Sequence, residues 1–237
     1  MGKYAELASS HSSGKYAELA AQAPKFNKDE QRGRELPSPA QGFINAVSQA
    51  PLGFGDEIYG AFDYEKKHIS MASINPERTL TLNGFSKSHA MTGLRVGYLA
   101  APPRYSGIVQ KMVTLQQYTM VCSPHAMQWG AITALKTGIE SELALMKKRR
   151  DMVYGMLSKV TTLPFPDGAF YVYPAIPIDS AEFVTQAIER RLLLVPGYIF
   201  SANRNAIRIS YATREDILEE GATIFCDMVA ELKDTLH

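Results

Sequence analysis

Gly84-Phe85-Ser86-Lys87-Ser88-His89-Ala90-Met91-Thr92-Gly93-Leu94-Arg95-Val96-Gly97 is the stretch on which the reading of this chain turns. It follows Thr79-Leu80-Thr81-Leu82, whose β-branched and aliphatic residues predict a short buried strand broken by Asn83-Gly84. A lysine directly after a strand and a glycine turn, in apolar company, is expected to be partly desolvated. Desolvation disfavours an ammonium and so favours an amine ready for Schiff-base chemistry with an aldehyde. Arg95 follows at a distance of about two helical turns, among Ser86, Ser88, Thr92 and Gly93. Such a group can hold a phosphate by charge-assisted hydrogen bonds and by backbone N–H groups at a helix start. On local physics alone the commoner arrangement is a surface lysine in a Ser/Gly loop, because lone lysines are mostly solvated.

Working outward, apolar residues recur at helical spacing over Arg104–Met120, Pro124–Leu135 and Glu140–Val160. The cluster Lys147-Lys148-Arg149-Arg150 is assigned to the solvated side of the third helix. Ala169–Tyr173 alternates and is aromatic, which predicts a strand after the Asp167-Gly168 turn. Ser180–Arg190 reads as a helix capped by Asp179 or Ser180. Leu192–Val195 and Ala206–Tyr211 read as short strands, and a closing helix runs from a Thr213 cap through Leu236. Strands alternating with helices give an α/β class, with a smaller α+β part from about residue 140 onward.

Upstream the text differs. GKYAELA occurs at Gly2–Ala8 and again at Gly14–Ala20, too short a unit for a solenoid. Residues 21–55 are rich in Gln, Pro, Gly and charge and read as linker, with a short helix near Phe43–Val47. The chain has 237 residues, 46% of them hydrophobic, and a formal net charge of +1. That is ample for a core and leaves no electrostatic footprint for nucleic acid or an anionic membrane. No apolar run reaches bilayer-spanning length. Cys122 and Cys226 lack metal-like spacing, so reduced thiols in a cytoplasmic setting are expected.

Three segments resemble one family. The run around Lys87 is similar, position by position, to the pattern around the cofactor lysine of class I/II, fold-type-I pyridoxal-phosphate (PLP) aminotransferases. That pattern has a Gly or Ser, an apolar and a small residue before the lysine. A small-Met-Thr-Gly-X-Arg run and an apolar-Gly pair follow it. Asp56-Glu57-Ile58-Tyr59-Gly60 resembles the family's DEIY strand end, and Asn205–Ala212 its strand bearing R-I-S-Y or R-I-S-F. Pro166–Tyr171 and Val195-Pro196-Gly197 are similar to its small-domain elements, but Phe200–Arg204 departs from the Phe-Gly-X-X-Gly run expected next.

The resemblance implies the fold: the C-terminal part of the PLP-transferase large domain, a mostly parallel sheet with helices, plus a small α+β domain. It implies an atypical segment at 1–55, a partial PLP-binding domain at 56–139 and the small domain at 140–237. It further implies that Lys87 forms the Schiff base with PLP and shifts protons. Asp56 would face the ring nitrogen, Tyr59 the ring oxygen, and Ser86 and Arg95 the phosphate. Arg208 would grip the substrate α-carboxylate, although an edge-strand arginine in solvent is the alternative. Transamination between an amino acid and a 2-oxo acid follows, in a homodimer. Three features of the family's upstream block are missing: a phosphate-holding Gly/Ser loop, a ring-stacking aromatic and an Asn-Pro-(Thr/Ser)-Gly segment. Asn27-Lys28 and Ser38-Pro39 do not reproduce them, and Pro51–Gly55 is read as replacing the strand that leads into the DEIY motif. Two other readings stay open: a non-catalytic truncated or engineered scaffold, and another fold-type-I reaction such as β-elimination.

Overall fold

The computed structural model describes residues 47–65 and 68–236. The GKYAELA copies, Asn27-Lys28, Ser38-Pro39 and nearly all of the short helix expected at Phe43–Val47 lie outside the described residues; 47–49 are helical. The chain divides into two compact units. The first is Met1–Ala61 with Lys67–Ile139; the second joins Phe62–Lys66 to Glu140–His237.

In the first unit, β1 (Gly53–Asp56), β2 (Thr79–Gly84) and β3 (Gly97–Ala100) form a three-stranded sheet in that order. β1 runs parallel to β2, with Gly53 beside Thr79 and Asp56 beside Leu82. β2 and β3 are antiparallel, from Thr81 beside Ala100 to Gly84 beside Gly97. One expectation needs correction here. Gly53–Asp56 does not replace the strand before the DEIY motif; it is that strand. Its glycines hide it from any propensity reading, and the space beside them is narrow. A Cβ on Gly53 would meet Met71 Cε at 3.0 Å, and one on Gly55 would meet Glu57 Oε1 at 3.2 Å. Among the described residues this sheet holds one parallel and one antiparallel pair. Residues 57–78 are long enough for the crossover that a parallel pair requires, whereas 85–96 simply double back and force β3 antiparallel.

The short helix α1 (Met71–Ile74) starts at Ser70, whose Oγ accepts from Ala72 N at 3.3 Å. α2 (Ser106–Thr119) and α3 (His125–Ala134) fall where the apolar spacing places them. A small core joins Phe85, Val96, Ala131 and Ala134, with Met91, Met127 and Leu135 against it. α2 buries no residue. Its Met112, Leu115 and Tyr118 are exposed, as are Phe54, Leu82 and Tyr98 of the sheet.

The second unit contains α4 (Glu140–Leu157), β4 (Tyr171–Val172), α5 (Ser180–Glu189), β5 (Val195–Pro196), β6 (Ile207–Ser210) and α6 (Glu215–Leu236). Its sheet has the order β4-β6-β5, antiparallel throughout, so β6 is central. β4 and β5 are shorter than the alternation of Ala169–Tyr173 and the apolar run Leu192–Val195 suggest. α4 packs on α6. Val153 and Leu157 of one and Leu218, Ala222, Phe225 and Val229 of the other are buried at i, i+4, i+7 spacing. Phe183 of α5 closes on Phe225 with ring centroids 5.5 Å apart.

One basic residue contradicts its assignment to solvent. The Arg150 side chain is 3% exposed, with Nη2 2.7 Å from Asp151 Oδ1 and Nη1 donating to Pro166 O at 3.3 Å. Its guanidinium lies 4.4 Å from the Phe165 ring centroid and 4.8 Å from that of Tyr64. A planar, weakly hydrated cation stacks on rings where an ammonium would stay in water. Beside it, Tyr64 and Tyr211 both donate to Ala169 O, at 2.5 and 3.1 Å. Burial pushes both phenols up from their ordinary range, so they remain neutral donors.

α5 ends with Arg191 N donating to Ile188 O and Leu192 N to Ala187 O, both at 2.9 Å, with Arg191 left-handed at φ 61°. This is the paired bond pattern that favours glycine after a helix. Arg191→Gly is expected to stabilise the protein by about 1 kcal/mol, read as a higher denaturant midpoint at unchanged slope. No helix among the described residues is long and apolar enough to cross a membrane.

Candidate active site

The lysine loop 85–96 hangs from a tight neck. A Cβ on Gly84 would lie 3.1 Å from Gly97 Cα and 3.2 Å from Val96 O; one on Gly97 would lie 3.1 Å from Asn83 O. That explains the first and last glycines of the motif. Phe85, 5% exposed, anchors the loop below, and its carbonyl accepts from both His89 N and Met91 N at 3.2 Å.

The loop is not the helix start that the spacing of Lys87 and Arg95 suggested. Ala90 and Arg95 are left-handed, at φ 52° and 55°, and only a 3-10 turn, Thr92–Leu94, forms. Left-handed residues of this kind end helical continuation. Thr92 Oγ1 donates to Ser86 O at 2.8 Å, and Arg95 Nη1 to Thr92 O at 2.7 Å, which tie the two ends of the loop together. Arg95 is exposed. Ser88 Oγ lies 2.9 Å from His89 Nδ1, and His89 Nε2 lies 3.3 Å from Thr137 O.

Lys87 is half-buried, with Nζ 5.9 Å from the centroid of the Tyr59 ring. No hydrogen bond or carboxylate takes that amine among the described residues. Asp56 is the last residue of β1, exposed, and its Oδ1 accepts from Ile58 N at 3.3 Å. The turn-forming role that Asp commonly plays is thus present, and it uses one oxygen only. Asp56 ends β1, and Ser86 and Lys87 follow the end of its parallel neighbour β2. Ligands of open α/β sheets bind beyond such carboxyl ends.

Glu57 carries no role in the sequence reading, yet it is the most connected acid here. Oε1 accepts from Ser70 Oγ at 2.7 Å and from Met71 N at 3.1 Å, and Oε2 lies 3.6 Å from His68 Nε2. Burial alone would raise its pKa, but the bonds from His68, Ser70 and Met71 prevail and hold the carboxyl below its ordinary value. Its stabilising effect is therefore full above the unfolded carboxylate pKa and lost as pH falls through the folded one.

In the second unit Arg208 sits on the central strand β6, so the edge-strand alternative does not hold. Val195 of β5 is its partner, and Tyr171 of β4 pairs with Ser210 on the face that Arg208 shares. The guanidinium is sandwiched, 3.9 Å from the Phe200 ring centroid and 4.6 Å from that of Tyr171. Neither carboxylate nor hydrogen bond meets it among the described residues. The sequence reading missed this sandwich. Phe200 was visible as the surviving Phe of an otherwise altered run, and Tyr171 as a diagonal cross-strand neighbour.

Residues 49–224 match the sequence profile of the family "Aminotransferase class I and II". The chain belongs to the class I and II aminotransferases. It is 36% identical over 178 residues to a probable aspartate aminotransferase of Methanocaldococcus jannaschii, covering 71% of this chain and 47% of that protein. An aspartate aminotransferase of Pyrococcus abyssi is 39% identical over 190 residues, 74% of this chain and 48% of its own. The crystal structure of an aromatic aminotransferase from Pyrococcus horikoshii superposes with a TM-score of 0.74 at 34% identity, over 81% of this chain and 55% of that one. The chain spans about half the length of the relatives it matches. Its fold is accordingly part of the fold-type-I aminotransferase fold, and members of this family generally depend on PLP.

Proposed function

We propose that this class I and II aminotransferase chain carries out PLP-dependent transamination between an amino acid and a 2-oxo acid, with Lys87 as the reacting amine. The observation that carries the reading is Lys87 itself. Its amine stands over Tyr59 without a charge partner among the described residues, just past the parallel strands β1 and β2. An amine engaged in an ion pair would have to be released before reacting with an aldehyde; this one would not.

The residues present fit PLP. When bound, PLP supplies an aldehyde for the lysine and a protonated ring that delocalises charge from the substrate α-carbon. Asp56 has an oxygen left to hold the proton on the ring nitrogen. Tyr59 would donate its phenol to the ring oxygen, and Ser86 and Arg95 would take the phosphate. Lys87 would move the proton at the α-carbon. Arg208, with its planar fork fixed by two rings, would bind the α-carboxylate in a bidentate pair. Amino acids and 2-oxo acids share that carboxylate, so one grip serves both halves of the exchange. Relatives of similar identity are named for aspartate and for aromatic amino acids, so the side-chain preference is left open. A homodimer and a cytoplasmic setting complete the proposal by family analogy.

The test is the visible spectrum of the purified chain with PLP, before and after borohydride, followed by peptide mapping. A reducible band with the label on Lys87 supports the reading. No band, or label scattered over other lysines, refutes it and favours a scaffold that keeps the family's sequence without its cofactor. Arg208→Lys is expected to weaken binding of a 2-oxo acid about tenfold or more while leaving PLP binding unchanged, because an ammonium cannot make the forked pair. Calorimetric titration with the oxo acid checks this, and an unchanged affinity would remove Arg208 from the site.

A further inference from the structure

We propose that Glu57 is the positioning residue that fixes Asp56 and Tyr59 for cofactor binding, an inference that rests on the PLP reading of the site. Glu57 lies between the two in sequence, and no hydrogen bond or ion pair joins its side chain to the lysine loop among the described residues. Its carboxylate instead reaches a separate stretch of chain: Ser70 Oγ at 2.7 Å, Met71 N at 3.1 Å and His68 Nε2 at 3.6 Å. The side chain is 12% exposed. A largely buried carboxylate that accepts an N–H and an O–H with a histidine beside it is held far more firmly than a surface acid, because each charge-assisted bond is strong in low dielectric.

The backbone of Glu57 is fixed as well. Glu57 N donates to Leu82 O, and Glu57 O accepts from Gly60 N, both at 2.9 Å. The first bond extends the ladder of β1 and β2 by one residue, and the second closes the turn that carries Tyr59. The residue therefore clamps the exit of the parallel strand at both its backbone and its tip. Asp56 precedes this clamp and Tyr59 sits inside the closed turn, so their directions are set by it.

The two glycines that flank the motif agree with this assignment. A Cβ on Gly55 would come 3.2 Å from Glu57 Oε1, and one on Gly60 would come 2.9 Å from His68 Nε2. Neither glycine has a positive φ. A side chain at either position would crowd this network, at Glu57 Oε1 in the first case and at His68 Nε2 in the second. Gly55-Asp56-Glu57-Ile58-Tyr59-Gly60 thus reads as one device: the glycines give room, Glu57 anchors, and Asp56 and Tyr59 are presented.

The test compares the full chain with Glu57→Ala and Glu57→Gln. Glutamine keeps an Oε1 that can accept from Ser70 and Met71; alanine keeps nothing. Three quantities are read: amide exchange at Ile58, Gly60 and Met71, PLP affinity, and the pH midpoint of the visible PLP band. Ile58 N donates to Asp56 Oδ1, so its protection reports the Asp56 side chain directly. Glu57→Ala is expected to speed exchange at all three amides about tenfold. It should also weaken PLP binding about tenfold and displace the band's pH midpoint, because the partners of ring nitrogen and ring oxygen have moved. Glu57→Gln should return affinity and midpoint toward the parent values.

If Glu57→Ala lowers only the melting temperature and leaves affinity and midpoint unchanged, Glu57 is structural and the proposal is overturned. If Glu57→Gln is as impaired as Glu57→Ala, the anchoring bonds are not the cause, and the proposal is again overturned. A parent chain with no PLP band refutes the PLP reading, and exchange then decides the anchoring by itself. Unchanged protection at Ile58 in Glu57→Ala would overturn that too.

Discussion

Lys87→Ala is expected to leave the chain folded and to abolish the borohydride-reducible PLP adduct altogether. Folding should survive because the loop is held by groups other than the lysine side chain: buried Phe85, the Gly84–Gly97 neck and the bonds through Thr92. The lysine's amine lies 5.9 Å from the Tyr59 ring centroid, and a partly exposed cation over a ring contributes only about 0.5–1 kcal/mol. The adduct should vanish because a covalent bond to the aldehyde needs an amine at that place, and alanine has none. Lys87→Arg is the sharper companion. It keeps the positive charge over Tyr59, yet a guanidinium stays protonated and does not form the bond. If charge alone drew PLP to the site, Lys87→Arg would still bind it without covalent label. If Lys87→Ala gave the parent's yield of label, another lysine would be the reacting group, and the assignment of the loop would fail.

The lysine loop was legible because each requirement there is written in residue type. Glycines mark the close neck, a lysine the reacting amine, and an arginine and hydroxyls a phosphate's surroundings. Its conformation was not legible. Spacing suggested a helix, but Ala90 and Arg95 adopt left-handed geometry that their own sequence does not announce. β1 escaped for the opposite reason. Its glycines remove every propensity signal, since the room they leave to Met71 and Glu57 is set by chain far along in sequence. Arg150 shows the same limit on a helix. Lys147-Lys148-Arg149-Arg150 looks like one solvated run, and what buries its last member is a pair of rings, Tyr64 and Phe165, contributed from elsewhere. Arg208 stood out as a charge within an apolar strand, and the central position of β6 agrees with that signal. The rings that orient it could not be deduced without knowing which strands pair. Glu57 was quoted and passed over because the chemistry draws the eye to its neighbours, while its own partners come from another stretch of chain.

Gly197→Ala should be the most damaging single methyl in the second unit. An added Cβ would lie 2.4 Å from Ala206 O and 2.5 Å from the Tyr173 hydroxyl. Neither can yield at low cost. Ala206 O already accepts from Gly197 N at 2.9 Å, and the Tyr173 hydroxyl donates to Gly197 O at 3.0 Å. Relief therefore means pushing β5 away from β6 and breaking bonds that cross between them. The expected cost is about 3 kcal/mol, seen as a fall of roughly 10 °C or more in the unfolding transition of a unit this size. Glycines with open space make the comparison. Gly93 and Gly155 have nothing within 4 Å of an added Cβ, so alanine there meets no such barrier. The damage should also reach function by a defined route. Pro196 pairs with Ile207 and Val195 with Arg208, so a displaced β5 shifts the strand that carries the arginine and the Gly197–Phe200 turn that supplies one of its rings. Gly197→Ala should thus lower 2-oxo acid affinity even at temperatures where the unit is still folded, and leave labelling of Lys87 intact. Unchanged stability would mean that Ala206 and Tyr173 move aside freely. Lost stability with unchanged oxo-acid affinity would mean that the grip of Arg208 does not depend on the register of β5.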